Sequence, residues 1–342
     1  MAEPLLAIRD LTVEFGTEDG VVHAVTGVSY DVFPGETVGV VGESGSGKSV
    51  SVMSLLGLIP QPPGRVTNGT AMFQGRDLIK MGKKDLRELR GGDVAMIFQD
   101  PMTSLNPVFT IGDQIGEAIQ VHNPGVKDDE AEKRVVDLLT LVGVPTPAQR
   151  VKQFPHEFSG GMRQRAMIAM AIANEPKLLI ADEPTTPLDV TIQAQIIEVL
   201  KAAQQETHAA TILITHDLGL VAELCDRVVV MYGGRVVETG DVFTIFSNPR
   251  HPYTVGLMDS LPRLIGEDEM LRPISGQPPS LINLPPGCSF HPRCFLSGGR
   301  LPCRTEVPPL RPIGDTQHLS ACHFAEELPE RHPERAAAGG RA

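Results

Sequence analysis

A chain of 342 residues with 41% hydrophobic content has room for two domains and the ordinary make-up of a folded globular protein. Its formal net charge of −12, with no basic tract to offset it, argues against nucleic acid as the main partner. No stretch approaches 18 consecutive apolar residues, and MAEPLLAIRD lacks the apolar core of a secretory signal, so the expectation is a cytosolic chain with reduced thiols.

Residues 6–15, LAIRDLTVEF, alternate apolar and polar and predict a first strand. Residues 21–32 repeat the pattern after the acidic turn Thr17-Glu18-Asp19-Gly20, which predicts an antiparallel β-layer. Phe15 closes the first strand, and its ring could stack on an adenine or simply fill a satellite core. Thr37–Ser49, TVGVVGESGSGKS, follows. Val38, Val40 and Val41 read as a buried strand that breaks at Gly42, and Val50–Leu58 reads as a helix. Between them, Gly42, Gly47, Lys48 and Ser49 fit G-x-x-x-x-G-K-[ST]. In that context the backbone of Gly42, Glu43, Ser44, Gly45, Ser46 and Gly47 would wrap phosphate oxygens, with the helix N-terminus facing negative charge. Lys48 would neutralise the β- and γ-phosphates, and Ser49 would bind Mg²⁺. A glycine turn before a helix is the plain alternative.

A short strand is predicted at Asn68–Gln74, and another at Asp93–Gln99, ending in QDPMTSLNP. Gln99 would sit at the mouth of a sheet, within reach of Mg²⁺ or an attacking water; alone, it would be a surface residue. Ile111–Val121 and Asp128–Gly143 read as helices, the second with Val135, Leu138, Leu139 and Val142 as its apolar positions. EFSGGMRQR, residues 157–165, opens a helix that continues through AMIAMAIA. Ser159, Gly160 and Gly161 at its start favour an anion, a plain N-cap being the simpler role. KLLIADEP, residues 177–184, is an apolar strand ending in Asp182 and Glu183. Strand alternation gives the two acids opposite faces and different tasks, one holding Mg²⁺ and the other polarising water. Thr186-Pro187-Leu188-Asp189 turns into a helix over 190–203. Ala210–Ile214 is a buried strand closed by Thr215-His216-Asp217, which puts His216 where α/β folds bind ligands unless it is a solvated loop residue. Residues 227–239 predict a hairpin turning at Gly233-Gly234.

The last 81 residues hold 13 of the 29 prolines and four of the five cysteines, a loop-rich module with a polar, disordered end from about Glu327. Cys288, Cys294, Cys303 and Cys322 follow C-x5-C-x8-C-x18-C. The cytosol disfavours disulfides, and structural Zn²⁺ sites usually carry close C-x2–4-C pairs. A [4Fe–4S] cluster tolerates wide, loop-borne spacing and is the favoured expectation, with Zn²⁺ and unmetallated thiols as alternatives. His291 and His323 neighbour the cysteines and could hydrogen-bond such ligands or, as the lesser alternative, be ligands themselves. Cys225 stands apart and reads as a buried small hydrophobe.

Phosphate loop, Gln99, SGGMRQR, LLIADEP, Asp189 and His216 occur in one order that resembles the nucleotide-binding subunit of ATP-binding cassette (ABC) transporters, over about residues 5–255. The resemblance implies an α/β, ABC-type P-loop ATPase fold: a RecA-like core sheet, an antiparallel β-subdomain and a helical subdomain at about 100–172. This nucleotide-binding domain, 1–255, would be followed by the Cys/Pro-rich module, 256–326, and a disordered tail, 327–342. It also implies roles. Gly42–Ser49 becomes the Walker A loop, Phe15 the adenine-stacking ring, and Gln99 the Q-loop residue that shares Mg²⁺ with Ser49 and Asp182. Ser159-Gly160-Gly161 becomes the signature, which completes the site of a facing subunit. Asp182 is then the Walker B acid, Glu183 the general base, Asp189 the D-loop acid and His216 the switch histidine. Met162 replaces the signature's commonest residue, Gln, as a subfamily trait, and Pro187 would stiffen the D-loop.

FQDPMTSLNP, EFSGGMRQR, SNPRHPYTVGLMDSLP and INLPPGCSFHPRC narrow the resemblance to the dipeptide/oligopeptide importer subfamily, with nickel-import ATPases as near relatives. That implies an ATP-hydrolysing subunit, peripheral on the cytoplasmic side of the cell membrane. Its partners would be a second ABC ATPase subunit in a heterodimer, two transmembrane permeases and an extracytoplasmic peptide-binding protein. The rival is a soluble ABC ATPase of translation or repair, but those carry tandem cassettes or a long coiled-coil insertion, and neither is present.

Overall fold

A computed structural model of the chain describes residues 3–185, 189–260, 273–314 and 317–329. The turn at Pro187 lies outside the described residues, as does most of the expected disordered tail. At the start of that stretch Leu328 is buried, and its carbonyl accepts a 2.8 Å bond from Arg250 Nη1. The chain forms two compact units, one of residues 3–5, 32–37 and 80–214, the other of 6–31, 38–79 and the described residues from 215 on.

The first unit carries the parallel strands Val94–Ile97, Leu178–Asp182 and Ala210–Thr215, with Val94 opposite Leu178 and Leu178 opposite Ala210. Leu178–Asp182 and Ala210–Thr215 are buried throughout, which is why they read as continuous apolar runs and not as alternation. Helices Ile111–His122, Asp128–Leu141 and Gly160–Ile172 pack on one another. Ile111, Ile115 and Ile119 form the buried stripe of the first, and Ala131, Val135 and Leu139 that of the second. A capping box between Thr110 and Asp113 fixes where the first begins. Asn174 ties the region together, donating to Gly91 O at 2.8 Å and Ala118 O at 2.9 Å while accepting from Asn123 at 2.9 Å.

The second unit holds the antiparallel layer in the order Gly20–Val32, Leu6–Thr17, Gly64–Phe73, Arg76–Asp77. The third of these starts four residues before its predicted Asn68, since pairing continues down to Phe15 opposite Gly64. A partner strand has overridden the weak β propensity of GRVTNGT. In the same unit the phosphate-loop strand, Thr37–Val41, pairs in parallel with Arg227–Tyr232. That strand turns at Gly233 and Gly234 (φ 56 and 77) into Arg235–Asp241. Leu319–Ser320 then adds to Arg235–Asp241, so the cysteine-bearing segment is stitched onto this sheet. The helix after the phosphate loop is Lys48–Leu55, shorter at its end than the sequence suggests. Gly57 (φ 59) closes it with bonds from Gly57 N to Ser54 O at 3.1 Å and from Leu58 N to Met53 O at 2.9 Å, a Schellman stop.

Candidate functional site

The second unit supplies the phosphate loop. A Cβ on Gly42 would lie 2.2 Å from Met231 O, and one on Gly47 2.3 Å from Ala24 O, so both glycines are dictated by neighbouring backbone. Their φ values of 151 and 97 also suit no other residue. Lys48 is 5% exposed, and its Nζ donates to Gly42 O at 2.8 Å and Glu43 O at 3.1 Å, which holds the ammonium inside the loop. Ser46 N donates to Glu43 O at 3.2 Å, and Gly234 N to Ser46 O at 3.1 Å. Ser46 Oγ is buried without a hydrogen-bond partner, an orphaned donor within the loop. Those features fit a nucleotide's phosphates, and Ser49, at the first turn of the helix, fits Mg²⁺. Ser44 and Gly45 form the tip of the loop. Phe15 is half-buried with its ring against Gly64, where a Cβ would sit 2.8 Å from Phe15 Cε1. His216 is exposed just beyond Thr215, and Asp217 caps the next helix, Leu218–Leu224, by accepting from Gly219 N and Leu220 N.

The first unit brings Gln99 and Glu183 together, with Gln99 Nε2 donating to Glu183 Oε2 at 2.9 Å. Asp182 ends its strand at 5% exposure, whereas Glu183 has already turned to φ 45, with its N–H on Ile214 O at 2.8 Å. The two acids therefore diverge through a left-handed turn as well as through strand alternation. A non-glycine residue held there stores strain, of the kind found where a side chain is being aimed. Ser159 N-caps the helix Gly160–Ile172, its Oγ accepting from Met162 N at 3.3 Å. Gly160 is exposed, and Gly161 is required by packing, since a Cβ there would lie 2.9 Å from Ile192 Cγ2. Asp189 is likewise an N-cap, accepting from Ile192 N at 3.0 Å.

The cysteine module lies in the second unit. Cys288 N donates to Cys303 O at 3.0 Å, and Cys294 follows one short turn later. All five cysteines are free thiols. Burial, with smaller contributions from the other module cysteines, pushes Cys288 up to about 11 and Cys322 to about 12. Cys294 and Cys303 are also raised, chiefly by burial. The four thiols are thus electrostatic neighbours, but among the described residues no group of three or more His, Cys, Asp or Glu is arranged to hold a metal ion. As arranged, the residues do not fit a preformed cluster or Zn²⁺ site, contrary to the expectation from donor chemistry. Of the neighbouring histidines, His291 Nδ1 is 3.0 Å from Cys288 O, and His323 Nε2 is 2.9 Å from Glu306 O. Cys225 is a packing residue whose Sγ would lie 2.9 Å from a Cβ on Gly39.

Sequence reasoning did not find Arg293 and Tyr253, which contact Glu43 within the phosphate loop. Both sit more than 200 positions away, and no local pattern signals such a contact.

Comparison with known proteins adds relatives to this geometry. Residues 25–186 match the family model described as ABC transporter, and residues 237–300 match that of the oligopeptide/dipeptide transporter C-terminal region. The chain is 50% identical over 328 residues to the dipeptide transport ATP-binding protein DppD of Bacillus subtilis, covering 96% of this chain and 97% of that one. It is 53% identical over 320 residues to the DppD of Escherichia coli, covering 94% and 96%. Among solved structures, cbiO1 of Clostridium perfringens, part of the ABC transporter complex cbiONQ, superposes with a TM-score of 0.59 at 29% identity, over 71% of this chain and 91% of that one. The ATP-binding cassette MJ0796, solved as a dimer bound to ADP and Pi, gives 0.62 at 24% identity over 69% and 98%, a likeness of fold.

Proposed function

The chain belongs to the ABC transporter family, in its oligopeptide/dipeptide branch, and from that premise we propose that it hydrolyses ATP to energise peptide import through a membrane permease pair. The observation that carries the catalytic half of this reading is the Gln99–Glu183 hydrogen bond on a left-handed turn beside Asp182. Phosphoryl transfer to water needs positioning and charge neutralisation more than covalent help. Gly42–Ser49 binds the phosphates, Lys48 offsets their charge and Phe15 faces the adenine. Ser49, Gln99 and Asp182 would hold Mg²⁺, which when bound neutralises the phosphate oxygens. Glu183 takes the proton of the attacking water, and Gln99 orients that carboxylate. His216 senses the γ-phosphate. Ser159, Gly160, Gly161 and Asp189 serve the site of a facing ATPase subunit, the related partner of a heterodimer.

Two permeases and an extracytoplasmic peptide-binding protein complete the assembly, and the chain works on the cytoplasmic side of the membrane. Among the described residues no helix is long and apolar enough to cross it. Phe98, Met102, Val108 and Phe109 support a permease contact: they are 38%, 61%, 70% and 53% exposed along one short segment that includes Gln99. The division into a nucleotide-binding domain, 1–255, with helices at about 100–172, a module, 256–326, and a tail, 327–342, is the working one. For the module, donor chemistry alone favours a [4Fe–4S] cluster over Zn²⁺; the four thiols as arranged hold neither and would have to close up to bind one. Anaerobic purification with a visible spectrum and metal analysis tests this, and a colourless protein carrying stoichiometric zinc would sink it.

The overall reading is tested by co-purifying the membrane subunits, reconstituting them in proteoliposomes and following uptake of a labelled dipeptide driven by ATP. Uptake that disappears in Lys48→Ala is the expected result. Nickel uptake in place of peptide would redirect the assignment to nickel import. A chain that brings down no membrane subunit would be a soluble ATPase.

A further inference from the structure

Arg293 lies between Cys288 and Cys294, in the one-turn segment His291–Arg293. Its guanidinium grips the carboxylate of Glu43 with both prongs, Nη1 to Oε2 at 2.7 Å and Nη2 to Oε1 at 3.0 Å. The remaining donors are also engaged: Nε gives to Ser275 O at 2.9 Å and Nη1 also approaches Tyr232 Oη at 3.3 Å. Its Cζ stands 5.8 Å from the Tyr232 ring and 5.9 Å from that of Phe290. The arginine side chain is 6% exposed, so this is a fixed strut and not a fluctuating surface pair.

Glu43 is the second residue of the phosphate loop and is held from its backbone as well. Its N–H donates to Tyr253 Oη at 2.7 Å, and its carbonyl accepts from Lys48 Nζ and Ser46 N. Tyr253, Tyr232 and Phe290 pack into one cluster of tilted and edge-on rings, with centroids 4.6, 5.1 and 5.4 Å apart. Side chain and main chain of this one loop residue are therefore both set by residues from 232 to 293. Left unpaired, the Glu43 carboxylate would place a negative charge beside the donors meant for phosphates, which are themselves anionic.

We propose that Arg293 is a positioning residue of the ATP site: by neutralising and fixing Glu43 it holds the loop in phosphate-binding shape, which makes the cysteine module an integral part of that site. The proposal rests on reading Gly42–Ser49 as the nucleotide site. It assigns the module a task on the intact chain whether or not the thiols carry a ligand.

The test titrates the purified full-length chain with a fluorescent ATP analogue. Arg293→Ala should weaken binding about tenfold, as expected when one partner of a mostly buried charge pair is removed. Arg293→Lys, which keeps the charge but loses the fork, should fall between it and wild type. The double variant Glu43→Gln, Arg293→Ala should recover most of the loss, since no charge remains to repel the phosphates. Wild-type affinity in Arg293→Ala overturns the proposal. A double variant that binds no better than Arg293→Ala also overturns it, because simple collapse of the module gives that result. Lys48→Ala, measured alongside, separates the levels. If it binds as wild type does, the nucleotide-site reading itself fails; if it loses binding while Arg293→Ala does not, only the strut fails.

Discussion

Glu183 and His251 show how much one side chain's setting decides. The Glu183 carboxylate is aimed by the φ 45 turn and by Gln99. Glu183→Gln keeps that hydrogen-bonding shape but cannot take a proton. Phosphate release should fall at least about a hundredfold while ATP binding persists, trapping a nucleotide-bound dimer visible by size exclusion. Turnover near wild type would remove Glu183 from the role of base. His251 is fully buried and caps the helix Pro252–Asp259, its Nδ1 accepting from Tyr253 N at 3.1 Å, which requires a neutral ring. Burial accordingly lowers it to about 3. The unfolded chain takes up that proton first, near pH 6.5, so the stability is complete above about 6.5 and drains as pH falls toward 3. Roughly 2 kcal/mol should be lost between pH 7 and 5. His251→Asn, which can cap without titrating, should flatten the slope of Tm against pH over that range. At this scale the glycines, Lys48 and the paired acids were legible because their spacing is local. Arg293 was not, because its partner Glu43 lies 250 positions away.

At the scale of elements, the buried strands over 37–41, 178–182 and 210–215 announce themselves as apolar runs, whereas Leu319–Ser320 does not. Two residues carry no period, and the strand forms between partners on both sides, Arg235–Asp241 and Arg311–Pro312. A buried carboxylate fastens it. Glu238 is 0% exposed and accepts from the backbone N–H groups of Arg250 and His251, and from His318 Nε2 at 2.6 Å. Ser320 Oγ adds a bond to Arg250 O at 2.8 Å. His318→Ala would leave that carboxylate short of a partner and cost about 2–3 kcal/mol. Limited proteolysis followed by mass spectrometry should then show cleavage first within 311–329. Unchanged protection would mean that the strand is held by its ladder alone.

For the whole molecule, the motif order identified the class of protein. How its cysteine segment is built in could not be read, because proline-rich loops have no periodicity to follow. The exposed apolar stretch after Gln99 is the surface on which membrane partners are expected to depend. Phe109→Asp should reduce co-purification of the permeases and cut transport at least about tenfold, with ATP binding by the isolated chain changed by less than about twofold. Retained transport would place the docking surface elsewhere.

The tie from Arg293 to Glu43 also has a consequence in time. Translation proceeds at roughly 5–20 residues per second, so Glu43 is made roughly 12–50 s before the arginine that secures it. During synthesis the phosphate loop is therefore present without its clasp. A product stopped by a nonsense codon before position 293 would carry the complete sequence motif for binding nucleotide but lack the residue that shapes it.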